Sequence, residues 1–228
     1  MKKKLFGTLL TALGAVPLLL LGLLLATWFA GTSDSLYLKL QLREITPETT
    51  GISDETLAET DAMLADCLRG DPNAFLDENG DVRQVEVFGT LQPVFNEKEL
   101  THMEDCRRLF ILLKRAILAF AAAGLLLYIA GRRLLRGEAR LRRIAGLTAL
   151  ALIVLPLAAF AAWAARDFNA AFNFFHRLLF TNSLWLLDPN TDLLIRICPS
   201  GMFMTMGVII AAAGLLWCAA GTILNWKR

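Results

Sequence analysis

The sequence predicts a membrane α-helical protein: four transmembrane helices with a small α+β extracellular cap between spans one and two. Three observations point there. Hydrophobic residues make up 56% of the 228, more than a soluble globule of this size can cover with polar surface. Four apolar runs reach the roughly 20 residues that a helix needs to cross about 30 Å of hydrocarbon. The stretch between the first two runs is acidic and the short flanking stretches are basic, so a formal net charge of +2 conceals two opposite halves.

The first span occupies residues 1–30 and follows Lys2, Lys3 and Lys4. Its apolar run is much longer than a signal-peptide core, and Trp28 stands where cleavage before Gly31 would want a small side chain, so it is expected to remain as an anchor. Residues 31–108 form the expected cap, rich in Asp54, Glu55, Glu59, Asp61, Asp66, Asp71, Asp77, Glu78 and Asp81. Within it, Leu36, Leu38, Leu40 and Leu42 alternate with Tyr37, Lys39, Gln41 and Arg43, the period of a half-buried strand.

Ser53 is placed to cap a helix whose first turn holds Asp54 and Glu55, whose buried stripe is Leu57, Met63, Leu64 and Cys67, and which stops at Gly70. Asn79-Gly80 is a hairpin signal between Phe75-Leu76 and the stretch Val82 to Val87. Asp77, Asn79 and Asp81 invite a calcium-loop interpretation, but the required glycine and distal glutamate do not fall at the right spacing. The cap closes on Phe95-Asn96-Glu97-Lys98-Glu99, a capping box in which Asn96 opens a helix and Glu99 reaches back to its amide. That helix carries His102 and is expected to run into span two.

Span two covers 109–130, a basic cytoplasmic loop 131–143, span three 144–165, an aromatic extracellular loop 166–201, and span four with its tail 202–228. Lys114 and Arg115 in the first turns of span two fit a helix that starts in water. Arg132, Arg133, Arg136, Arg140, Arg142 and Arg143, with the three N-terminal lysines and with Lys227 and Arg228, place both ends inside by the positive-inside rule. The same basic loop lacks interleaved aromatics, so no nucleic-acid partner is expected. Cys67, Cys106 and Cys198 would lie outside, where a disulfide is permitted but no pairing is indicated; none of the four cysteines has metal-ligand spacing.

Only two histidines occur, His102 and His176, and the topology puts both on one side, close to the membrane surface. If helical, Phe168, Phe172, Phe175 and Leu179 share a stripe with His176 at its edge, which as aromatics alone would be an interfacial belt. Glu99 and Asp105 flank His102 by one turn each, and a carboxylate there would hold one imidazole tautomer and raise its basicity. Cys106, one turn beyond, admits a thiolate alternative. No zinc motif, nucleophile elbow or phosphate-binding loop is present, so two histidines without a serine nucleophile point to acid-base chemistry.

The segments FNEKELTHMEDC (Phe95 to Cys106) and FNFFHRLLFTNSLWLLDPNTDLLI (Phe172 to Ile195), within a four-span layout with a cap, resemble the lipoprotein intramolecular transacylases of Gram-positive bacteria. The resemblance implies transfer of the sn-2 acyl chain of a lipoprotein's diacylglyceryl group to the amino group of its own N-terminal cysteine, with His102 and His176 matching the two catalytic histidines. It further suggests Phe95, Asn96, Glu99, Asp105, Phe172, Phe175, Arg177, Trp185 and Asp188 as substrate-binding or supporting residues. Cys106 departs from the pattern, which leads one to expect an aliphatic residue there. The expected partners are a diacylated lipoprotein and the bilayer, with no cofactor, no metal and a monomeric chain. His102 is the expected base and His176 the expected donor, with the opposite assignment left open. The alternatives are a non-enzymatic accessory protein whose cap binds a partner, and a phospholipase or acyltransferase acting on free lipid.

Overall fold

The computed structural model of the chain describes residues 1–226, with side chains to residue 223. Lys227 and Arg228, used above for orientation, lie outside the described residues. The elements in order are α1 (Lys2–Gly31), α2 (Asp34–Gln41), α3 (Pro47–Thr50), α4 (Asp54–Arg69), β1 (Gln84–Val87), β2 (Thr90–Pro93), α5 (Glu97–Leu134), α6 (Ala139–Arg166), α7 (Phe168–Leu179), α8 (Leu193–Ile197) and α9 (Ser200–Trp226). Among the described residues, α1, α5, α6 and α9 are the four helices long and apolar enough to cross a membrane. Each overlaps one of the four apolar runs of the sequence.

The chain divides into two compact units. One comprises 1–27, 113–171 and the residues from 208 onward. Its core is small: Ala15, Leu19, Ala149, Ile153 and Cys218, with Val16, Leu20, Leu23, Tyr128 and Leu150 against it. Leu118, Leu126, Leu152, Leu155 and Leu216 are exposed, an apolar exterior that only lipid can solvate. Gly14 permits a close helix approach in this unit, since a Cβ there would run into the backbone of Tyr128. Trp217 Nε1 donates to the Leu18 carbonyl at 2.8 Å, and Lys4 pairs with Glu138 at 2.5 Å.

The other unit comprises 28–112 and 172–207, so the segment after α7 folds with the acidic segment. Here the structure corrects one expectation: Leu36 to Leu42 is not a strand but lies in and just past helix α2. Ser33 accepts from the Leu36 amide as N-cap, and the buried face is Tyr37, Leu40 and Gln41, a helical rather than alternating set. That face packs on α4, which is capped by Ser53, ends at Gly70 and buries Leu57, Met63, Leu64 and Cys67 as expected. Asn79-Gly80 does close a turn, but only the single bridge Leu76 to Val82 flanks it. The two-stranded ladder is β1 with β2, antiparallel, registering Gln84 on Pro93 and Val87 on Thr90. Its turn is Phe88-Gly89, both at positive φ (51° and 77°), the twist that a two-residue hairpin needs. Phe88 accepts that conformation while its ring lies against Gly51, where any Cβ would collide with it.

Gln41 and Asp61 are completely buried. Gln41 Nε2 donates to Asp61 Oδ1 and to the Ile197 carbonyl, both at 2.9 Å, tying α2, α4 and α8 together. Burial raises the Asp61 carboxyl to about 7, with the Gln41 hydrogen bond opposing. The unfolded carboxyl ionises near its ordinary value, so stability present in acid is lost as pH rises through that range. Asp61→Asn is therefore expected to melt at higher temperature than the parent at pH 8, by the equivalent of up to about 4 kcal/mol, with the difference vanishing near pH 4. Equal melting points at both pH values would refute the assignment.

Candidate active site

Both histidines fall in the second unit, and their rings face one another with centroids 6.3 Å apart. Each reaches that position through a local device. For His102 it is the start of α5: the Asn96 amide donates to Glu99 Oε2 at 2.8 Å and the Glu99 amide to Asn96 Oδ1 at 3.0 Å, the expected capping box. Two turns of helix then carry His102 into a buried position. His176 sits in α7, where its Nδ1 lies 2.8 Å from the Phe172 carbonyl. A carbonyl only accepts, so Nδ1 carries the proton in that bond and the Nε2 lone pair is left free.

Aromatic rings enclose the pair. Phe180 lies edge-on to His102 at 5.1 Å and against His176 at 5.7 Å. Trp185 stacks on His176 at 5.0 Å, Phe172 approaches it to 4.0 Å and Phe175 to 5.5 Å. The loop that brings Phe180 and Trp185 is fastened to α5 on both sides of His102. Below it, Asp192 accepts from Asn96 Nδ2 at 3.0 Å, Lys98 Nζ at 3.2 Å, Thr191 at 2.8 Å and its own loop amide at Asp188 at 2.8 Å. Glu99 Oε1 also takes the Leu194 amide at 2.6 Å. Above it, Asn182 Nδ2 donates to Asp105 Oδ2 at 2.8 Å, while the Asn182 carbonyl accepts from Trp185 Nε1 at 2.9 Å.

These bonds correct the expected role of the carboxylates. Neither Glu99 nor Asp105 hydrogen-bonds His102: Glu99 is held by two backbone amides and Asp105 by Asn182. The imidazole is not made more basic either. Burial first, and then the neighbouring His176, depress His102 to about 4, with Asp105 opposing. Burial also lowers His176, against the hydrogen bond to the Phe172 carbonyl. Both rings are thus neutral near pH 7. His102 precedes Arg107 and Arg108, which stand ahead of the apolar run of α5. Its Nε2 lies 3.7 Å from Cys106 Sγ, whereas its Nδ1 is buried and has no hydrogen-bond partner among the described residues. Burial pushes the Cys106 thiol up to about 12, which argues against a thiolate nucleophile.

Of the other expected residues, Phe95 is buried against Phe75, edge to face at 5.3 Å, and supports the helix start rather than the histidines. Arg177 is exposed on α7. Asp188 is exposed and accepts from Asn190, shaping the turn ahead of Asp192. Lys98, Phe180, Asn182 and Asp192 are not among the expected site residues, although the Asx turn of Asn182 onto the Leu184 amide is a local signal for the loop. Phe180, which touches both histidines, also lines a groove of about 230 Å³ together with Asp105, Arg108, Leu109, Leu112, Leu179, Thr181 and Asn182.

The family model described as lipoprotein intramolecular transacylase Lit matches residues 12–203. Among solved structures, the chain resembles the in meso structure of the membrane-integral lipoprotein intramolecular transacylase Lit from Bacillus cereus, with TM-score 0.62 and 21% identity over 98% of this chain and 93% of that one. A variant of the same protein with a histidine changed to arginine gives TM-score 0.61 at 21% identity, over 97% and 89% of the two chains. A second variant, with a histidine changed to alanine, gives 0.59 at 21% identity, over 99% and 91%. Comparison with curated proteins finds no match.

Proposed function

We propose, from the premise that the chain belongs to the Lit family of lipoprotein intramolecular transacylases and is an acyltransferase, that it moves the sn-2 acyl chain of a lipoprotein's diacylglyceryl group onto the α-amino group of the same N-terminal cysteine. The product is a lyso-form N-acylated lipoprotein. Family membership removes the partner-binding accessory protein as an alternative. The observation that supports this reaction most directly is the facing pair of neutral imidazoles, 6.3 Å apart, within an aromatic enclosure.

Amine and ester sit on one molecule, so holding them side by side supplies much of the rate acceleration. His176 suits the base better than His102, because its Nδ1–H is committed to the Phe172 carbonyl and its Nε2 is free to accept. As the amine nitrogen attacks the ester carbonyl carbon, Nε2 takes the amine proton. His102 stabilises the oxyanion from the opposite side. The bond to the glyceryl sn-2 oxygen then breaks, and that oxygen recovers the proton from the His176 imidazolium. One ester becomes one amide and one free hydroxyl, with no co-reactant. Phe172, Phe180 and Trp185 keep water from the ester, and Leu109, Leu112 and Leu179 of the groove suit the acyl chain.

The basic groups at Lys2–Lys4 and Arg132–Arg143 belong on the cytoplasmic side, which puts both termini inside and the histidines at the outer face, where mature lipoproteins reside. The chain works as a monomer in this proposal, since each residue named is its own. The test is mass spectrometry of a synthetic diacylated lipopeptide after incubation with the purified protein. An isomer of unchanged mass with one acyl chain on nitrogen is expected. Free fatty acid, or an acyl chain moved between separate lipids, would replace the proposal with lipase or intermolecular transferase chemistry.

A further inference from the structure

Cys106 lies one helical turn beyond His102 on α5, with its Sγ 3.7 Å from Nε2 of that ring. A thiol is a weak donor and sulfur a weaker acceptor still, whereas a neutral imidazole nitrogen accepts well. Of the two ways to share a proton across this contact, S–H toward Nε2 is the better one. Its consequence falls on the far side of the ring: with Nε2 accepting, the single ring proton must be on Nδ1. That nitrogen is buried and has no hydrogen-bond partner among the described residues. The neighbouring Cys67 is not available for the same task, because its own sulfur meets the Met103 carbonyl at 3.7 Å.

We propose that Cys106 is a positioning residue that holds His102 as the Nδ1–H tautomer by donating its S–H to Nε2. The inference rests on the reaction assigned above and specifies how one member of the pair is prepared for it. The two rings are then locked in complementary senses. The Phe172 carbonyl leaves His176 with a free acceptor, and the Cys106 thiol leaves His102 with a free donor. An unpaired buried N–H is unfavourable in the resting protein, and once a seated substrate displaces the side chains that cover the ring, the oxyanion of the tetrahedral intermediate is the acceptor that would satisfy it. The raised thiol, protonated at any physiological pH, fits a donor and not a nucleophile.

The test uses the full chain in detergent, labelled with ¹⁵N-histidine. Long-range ¹H–¹⁵N spectra report which ring nitrogen bears the proton, and infrared spectra report the S–H stretch, which moves to lower frequency when the thiol donates. The parent protein should show His102 protonated at Nδ1 and a lowered S–H band that disappears in Cys106→Ala. In that variant Nε2–H should gain population, and kcat for acyl transfer should fall roughly three- to tenfold, the worth of one hydrogen bond, with KM unchanged. Cys106→Val fills the space without a donor and should behave as Cys106→Ala does, separating packing from proton placement. Cys106→Ser should not rescue, because its shorter C–O bond leaves the hydroxyl short of Nε2 and free to bond the His102 carbonyl. A parent His102 protonated at Nε2, or alanine and valine variants that keep both tautomer and kcat, would overturn the proposal. A parent protein that shows the Nδ1–H tautomer but transfers no acyl chain would refute the assigned reaction and leave the tautomer lock standing.

Discussion

His176→Ala is expected to lower kcat for N-acylation by about 10³-fold, within the range that a positioned general base contributes. The expectation rests on geometry: Nδ1 is occupied by the Phe172 carbonyl, so Nε2 is the one nitrogen of this ring with a lone pair to offer. Among the described residues no carboxylate bonds either ring to substitute for the lost base. Alanine also removes the ring stacked between Trp185 and Phe172, so His176→Gln, which keeps much of the volume, should be equally inactive while melting closer to the parent. Because the two imidazoles are proposed to serve one transition state, His176 on the proton and His102 on the oxyanion, His102→Ala combined with His176→Ala should cost little more than the worse single change. Initial rates of the N-acyl isomer by mass spectrometry provide the measurement. A His176→Ala protein retaining a tenth of parental kcat would rule out His176 as the base.

Asp192→Ala should have the largest effect on folding, destabilising the unit that holds the histidines by about 3–5 kcal/mol. The Asp192 carboxylate is buried and receives four donors, from Asn96, Lys98, Thr191 and the Asp188 amide; deletion strands several of them. Burial alone would raise this carboxyl, but the hydrogen bonds from the Asp188 amide, Thr191, Lys98 and Asn96 outweigh it and hold it near 2. A depressed carboxylate contributes stability that is present above its unfolded value and lost as pH falls through the folded one. Asp192→Asn should therefore cost about 2 kcal/mol at pH 7 and progressively less from pH 4 toward pH 2, in thermal melts of the detergent-solubilised protein. A loss independent of pH would mean that shape, and not charge, matters at this position.

How much of this was legible in the chain differs by element. The four helices able to cross a membrane follow from hydrocarbon thickness, and the capping box at Asn96 and Glu99 follows from the spacing of two side chains, so both could be read without the fold. The leucines from Leu36 to Leu42 could not be read by alternation, because seven residues satisfy a period of two and a period of 3.6 about equally well. Ser33-Asp34 at the start of the run was the better guide, and it opened a helix. Glu99 shows a different failure, in which one residue was given two jobs. The signal that placed it in a cap had already engaged its carboxylate with backbone, leaving nothing for His102. The links from Asn96 and Lys98 to Asp192 and from Asp105 to Asn182 join positions far apart in the chain, and pairs of that kind leave no local trace.

The stack of Trp185 on His176 equips the protein with an optical indicator of the charge on that imidazole. Indole emission is quenched when a neighbouring imidazole becomes a cation, since the charged ring accepts an electron from the excited indole while the neutral ring does so poorly. The parent-minus-Trp185→Phe difference spectrum isolates this one emitter from the other four tryptophans. Its brightness then follows the charge on His176 directly, without substrate. Under the proposed mechanism, the same light should dim in a single turnover while His176 holds the amine proton and recover when the glyceryl oxygen takes it.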